Sequence, residues 1–269
     1  MRHLIHIEWL KIRKYRAFLL LFGFFVISVF GLNYIVETVV SFRARVPQAE
    51  QEVASAVPDM AAMLVGQPFS FPEVWQTVSY LSSFLLFLPG LLIIILMANE
   101  FSYRTHRQNV IDGLSRSRFV QAKMGLILIL SVVVTLLVFG VGCLFGGGGF
   151  SLVGIHYVSY FLIQSLAYMS VALAIVMLFR RSGVSIGLYF LYAFIVENLL
   201  SLLVNRYIVS GGGNYLPLES ADRLIPAPSI LGKVFNPEPV DPTPYLVVSV
   251  VWIAVLLWFS LYRFRKMDL

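Results

Sequence analysis

Apolar residues along this chain gather into runs too long for ordinary soluble helices, and polar stretches separate them. A helix needs about 20 apolar residues to cross a hydrocarbon core. Six runs qualify or come close: 17–36, 79–98, 124–145, 157–179, 184–204 and 245–262. The pattern predicts an all-α polytopic membrane protein with six transmembrane helices, forming one transmembrane domain over 1–269. The first run does not read as a cleavable signal peptide. Its charged lead is long, the run has full span length, and Glu37-Thr38 stands in place of a small-residue cleavage site. Within the second run, Pro89-Gly90 predicts a kink, because proline removes a backbone hydrogen bond.

Composition supports the spans. The chain is 59% hydrophobic and 13% charged, with a mean hydropathy of +0.84. Soluble domains carry about 25% charged residues, and half that fraction cannot coat a water-exposed surface. The single cysteine, Cys143, excludes an internal disulfide framework and any cysteine-based zinc site. The net charge of +6 does not imply nucleic acid, because the basic residues flank the apolar runs.

Those flanks set an expected orientation. Arg2, Lys11, Arg13, Lys14 and Arg16 precede the first run, and Arg104, Arg107, Arg116, Arg118 and Lys123 lie between the second and third. Arg180 and Arg181 separate the fourth and fifth, and Arg263, Arg265 and Lys266 follow the sixth. All of these fall on one side, expected to be the cytoplasm. Only Arg43, Arg45, Arg206, Arg223 and Lys233 fall on the other. Both termini are then expected to be cytoplasmic.

Four segments lie outside the spans. Residues 1–16, MRHLIHIEWLKIRKYR, place Ile5, Trp9 and Ile12 on one helical stripe with Arg13 and Lys14 set to meet lipid phosphates. They form an interfacial helix or an ordinary positive flank. Residues 37–78 are a polar loop with Glu37, Glu50, Glu52, Asp59 and Glu73. The segment 205–244 is rich in glycine and proline, and is either a re-entrant element at the membrane edge or a solvated loop. The fourth is 99–123, on the cytoplasmic side.

Catalytic chemistry is missing from the pattern. Neither Gly146–Gly149 nor Gly211–Gly213 is followed by the Lys-Ser or Lys-Thr of a phosphate-binding loop. His3, His6, His106 and His156 are scattered over both faces and cannot share a metal, so no metal site is expected. No HExxH or GxSxG occurs. Energy for any work must come from a partner or an ion gradient. One acid lies in a span, Glu197 with Asn198 beside it. A buried ionisable group there costs several kcal/mol unless paired. Glu197 is either a structural polar contact, within reach of Arg206 or a water-filled vestibule, or a substrate or proton site.

The segment 99–123 reads NEFSYRTHRQNVIDGLSRSRFVQAK. Glu100 to about Ile111 predicts a short helix leaving the membrane, Asp112-Gly113 a turn, and Ser115 an N-cap for the helix of the third span. Val110, Ile111 and Leu114 then offer apolar contacts inside a rim of arginines, a knob suited to a groove on a soluble partner.

The order NE-F, R-T-x-R, V-I-D-G, S-R-x-R-F and A-K between a second and a third span resembles the ABC type-2 family of exporter permeases. The opening EWLKIRKYR is similar to that family's interfacial segment. The resemblance implies that this loop holds the coupling helix that docks on an ATPase. Arg104, Thr105, Arg107, Gln108, Asn109, Val110 and Ile111 would form or flank the docking surface, and Glu100 would match the family's acid at the end of span two. Where members usually carry a glycine, this sequence has Tyr103-Arg104 before Thr105. The resemblance further implies two ABC ATPase subunits and a second permease chain, as a homodimer or with a paralogue. ATP and Mg would sit on the ATPase and no cofactor in this chain. The expected function is the permease half of an ABC exporter. The alternatives are a membrane scaffold that couples an ATPase to partners outside, and an ion-coupled carrier using Glu197.

Overall fold

The computed structural model describes residues 15–45, 68–105, 108, 111, 115–228 and 241–266, with the backbone alone at 43–45. The expected interfacial segment therefore lies outside the described residues except for its last two positions. Among the described residues the chain is helical, with one isolated bridge between Ser70 and Gly147.

Helix α1 (Arg16–Arg45) is the first span. One stripe of it, Phe18, Phe25, Val29 and Asn33, is buried, while Leu20, Phe24, Ile27 and Tyr34 are exposed as a lipid-facing surface requires. Asn33 uses its amide twice, donating to Val29 O at 2.8 Å and to Ser82 Oγ at 3.4 Å, so it ties the first span to the second.

The second span is broken. It consists of α2 (Val74–Ser83) and α3 (Phe87–Ser102), bent by 44° across 84–86. The proline signal was legible, but the break lies one turn before Pro89. Proline withholds its own N–H from the carbonyl four residues back and its ring crowds that carbonyl, so the distortion falls on Leu85. The residues there close with shorter-range bonds instead, Leu88 N to Leu85 O at 3.0 Å and Leu86 N to Ser83 O at 3.0 Å. Gly90 has a different task. A β-carbon there would overlap the phenol of Tyr189, so glycine lets that buried ring press against α3.

Helix α4 (Arg116–Phe145) starts at Ser115, whose side chain accepts from Arg118 N as an N-cap should. Helix α5 (His156–Phe179) is the hub of the bundle and packs on α2, α3, α4 and three later helices, Ser182–Leu191, Pro217–Asp222 and Pro242–Arg265. The fifth span, Ser182–Tyr207, is not a continuous α-helix. It runs as α6 (Ser182–Leu191), a π turn over Tyr192–Val196, and α7 (Glu197–Tyr207).

After α7 comes a 3-10 turn, Gly212–Tyr215, and then a six-residue helix, α8 (Pro217–Asp222). The last span is α9 (Pro242–Arg265), which Asp241 caps by accepting from Thr243 N at 2.9 Å. The five long spans and the bent pair give up to six crossings. Most described basic side chains collect at one end of the bundle, hereafter the basic end: Arg16, Arg104, Arg116, Arg118, Lys123, Arg180, Arg181, Arg263, Arg265 and Lys266.

Candidate functional site at the basic end

Two helices frame the loop at the basic end. The last turn of α3 carries Asn99 and Glu100, and the second turn of α4 carries Lys123. Lys123 Nζ meets Glu100 Oε1 at 2.6 Å, with the lysine side chain 3% exposed and the glutamate 12%. Lys123 also stands 5.3 Å from the centroid of Phe119, which in turn stacks on Phe264 of α9 at 4.8 Å. Asn99 Nδ2 donates to the Tyr15 hydroxyl at 2.5 Å, which brings the start of the first span to the same place. Arg116 donates to Arg265 O at 2.9 Å, and Arg265 Nε donates to Ser117 Oγ at 2.9 Å. The base of the loop is thus a fixed platform built from four parts of the chain.

The loop itself leaves that platform sharply. Tyr103 N bonds back to Asn99 O, and Arg104 then takes a left-handed conformation, φ 54°. That conformation costs a residue with a β-carbon about 1–2 kcal/mol, which glycine avoids. An arginine therefore occupies a backbone position that glycine would hold without that cost. Thr105 follows, its hydroxyl donating to Glu100 O at 3.3 Å. Tyr103 is 78% exposed and Ile111 83% exposed, and Arg104 and Gln108 are exposed too. Large apolar side chains projecting into water beside a cation form a surface that other protein can cover. Arg107, Asn109 and Val110 lie outside the described residues. Replacing Arg104 by glycine should raise stability by about 0.5–1 kcal/mol, the left-handed cost less glycine's own chain entropy. Thermal melting of the detergent-solubilised chain checks this, with Arg104→Ala as the control that keeps the strain.

The other candidate, Glu197, lies far from this loop, at the junction of the π turn and α7. It is 3% exposed. Its Oε1 accepts from Leu218 N at 2.5 Å and from Glu219 N at 2.9 Å, the backbone donors that open α8. A helix start leaves such donors without intrahelical partners, and a carboxylate there is favoured by the helix dipole as well. Asn198 turns away, is exposed, and donates to Phe194 O at 3.1 Å. Neighbours in sequence, the two side chains do not share a site. Asn198 instead lines a groove with Ser201, Leu202, Asn205, Arg206 and Glu219.

One acid escaped the sequence reading. Asp222, at the end of α8, accepts from Gln164 Nε2 at 2.8 Å and from the Tyr168 hydroxyl at 3.1 Å, both on α5. Asp222 lies in a proline- and glycine-rich connection, where no hydropathy signal marks depth. Gln164 and Tyr168, polar and four residues apart in an apolar run, were the available hint.

Helices long and apolar enough to cross a bilayer, polar connections at their ends, and helical packing throughout the described residues define a multi-pass α-helical membrane protein. Residues 4–196 match the family model described as ABC-2 family transporter protein. The chain belongs to that family and is the permease component of an ABC transporter, not itself catalytic. No curated protein matches the sequence. The matched stretch contains the loop at the basic end and stops one residue before Glu197, so α7, α8 and α9 lie beyond it.

Proposed function

We propose that this permease moves its substrate outward across the cytoplasmic membrane of a bacterium, driven by two ABC ATPase subunits that dock at the basic end. The observation that carries this reading is the exposed loop of Tyr103, Arg104, Gln108 and Ile111 standing on a platform locked by the Glu100–Lys123 pair. A moving partner can transmit force only through a segment that is both accessible and rigidly rooted. ATP and Mg belong to the ATPase, and this chain supplies the docking residues Glu100, Arg104, Thr105, Arg107, Gln108, Asn109, Val110 and Ile111. A second permease chain, identical or paralogous, completes the pathway. Glu197 serves in this reading as the anchor of α8 rather than as an ion carrier.

Copurification from membranes tests the partner. An ABC ATPase should co-elute with the chain, and substrate should stimulate its ATP hydrolysis if the complex transports rather than merely scaffolds. Orientation has its own test, in a Cys143→Ser background. A cysteine at Val209, 59% exposed at the end opposite the basic one, should react with a membrane-impermeant maleimide added to intact cells. A cysteine at the exposed Gln108 should react only after the cells are opened. The reverse pattern would place the basic end outside and end the docking proposal.

A further inference from the structure

Asp222 belongs to no span, yet it is held inside the bundle. Its partner Gln164 lies eight residues into α5 and Tyr168 lies twelve, which at 1.5 Å per residue places them about 12 Å and 18 Å from that helix end. Helix α8 is wedged there between α5, α7 and α9, with Ser220 Oγ accepting from Ser249 of α9 at 3.1 Å. Ser220 and Ala221 are fully buried.

The groups that face Asp222 are all neutral or acidic. Tyr80 reaches toward it from α2, Gln164 and Tyr168 from α5, Tyr189 from α6, Glu197 from α7 and Glu219 from its own helix. From α9 the side chain bonded to α8 is Ser249. Arg223, the adjacent cation, pairs instead with Glu219 at 3.0 Å. Among the described residues no lysine or arginine forms an ion pair with Asp222. A carboxylate at such depth without a cation favours its neutral form.

The two direct partners suit that change. An arginine or lysine would only donate, and so would hold the acid ionised. A glutamine amide presents either an N–H or a carbonyl, and a tyrosine hydroxyl both donates and accepts. Gln164 is 2% exposed, and its Oε1 is buried without a hydrogen-bond partner. Rotating the amide would turn that acceptor to the O–H of a protonated Asp222, while Tyr168 still donates to the other oxygen.

We propose that Asp222, Gln164 and Tyr168 form a proton-binding site within the bundle, and that the bound proton keeps α8 docked on α5. Burial raises the Asp222 carboxyl from its ordinary value to about 7, against the lowering by its two hydrogen bonds. The sign follows from that direction. A raised native value means that the folded protein holds the proton more tightly than the unfolded chain. Its stabilisation is complete below about pH 4 and is lost as pH rises through about 7. Above neutrality the ionised acid weakens the docking of α8.

Infrared difference spectroscopy on the full chain in lipid nanodiscs tests this directly, stepping from about pH 5 to about pH 9. The expected result is a protonated-carboxyl band that disappears with a midpoint near 7 and is missing in Asp222→Asn, a near-isosteric stand-in for the neutral acid. Tyr168→Phe removes one donor to the ionised form, so its midpoint should move up by about one pH unit. Melting temperature should fall between the same limits in the native chain and stay level in Asp222→Asn. Identical titrations in the native chain and Asp222→Asn would overturn the proposal, as would a Tyr168→Phe midpoint that moves down.

Discussion

Replacing Lys123 by alanine should destabilise the permease by about 3–5 kcal/mol, the range for removing one partner of a buried ion pair. The ammonium sits 2.6 Å from Glu100 and is almost wholly enclosed. Its removal strips a carboxylate of that charge in a place water barely reaches, and also empties the space over Phe119. Two controls separate charge from shape. Lys123→Met keeps most of the volume and should still destabilise, because the loss is electrostatic. Glu100→Gln combined with Lys123→Met removes both charges and should recover much of the stability, since a buried pair is worth little against a well-packed neutral one. Melting in detergent measures all three. If the double variant were no more stable than Lys123→Met alone, the ion pair would not be what roots the loop.

The second large effect concerns assembly rather than folding. Aspartate at both Val110 and Ile111 should release the ATPase from the membrane complex while the permease remains inserted. Ile111 is 83% exposed, so an aspartate there costs the isolated fold little. At an interface the balance reverses, because truncating a buried anchor costs over about 1 kcal/mol and charging it costs more. Charges at the rim act mainly on association rate and salt dependence, so Arg107→Ala should weaken recovery chiefly at low salt, where that charge is least screened. Pull-down from membranes, with permease and ATPase quantified together, gives the answer. Undiminished ATPase recovery from the double aspartate variant would refute docking through this loop.

Much of the fold was legible because lipid imposes a simple rule. A chain crossing hydrocarbon must satisfy its backbone within helices and clothe it with apolar side chains. Run length and composition therefore matched the five long spans and the bent pair found among the described residues, and local sequence showed the capping role of Ser115. The family resemblance rested on a local motif, which sequence displays directly. The left-handed turn at Arg104 was not legible, because nothing in an arginine's own preference announces a positive φ. Three other things were not legible, and each depends on distant parts of the chain. Pro89 announced a kink, but its position one turn earlier follows from which carbonyl loses its donor. Glu197 offered either a structural polar contact, with Arg206 or a water-filled vestibule in reach, or a substrate or proton site, and its own span could not name its partners. Its Oε1 accepts from two backbone N–H groups 21 and 22 residues later, brought to it by a six-residue helix whose one start signal is Pro217. Asp222 drew no notice because depth in the bundle is a property of packing. Sequence alone determined that this chain is a multi-pass membrane protein with a basic, exposed loop between two spans. Tertiary structure decided which acids are held by what, because burial and hydrogen-bond partners come from helices that sequence lists far apart and folding sets side by side.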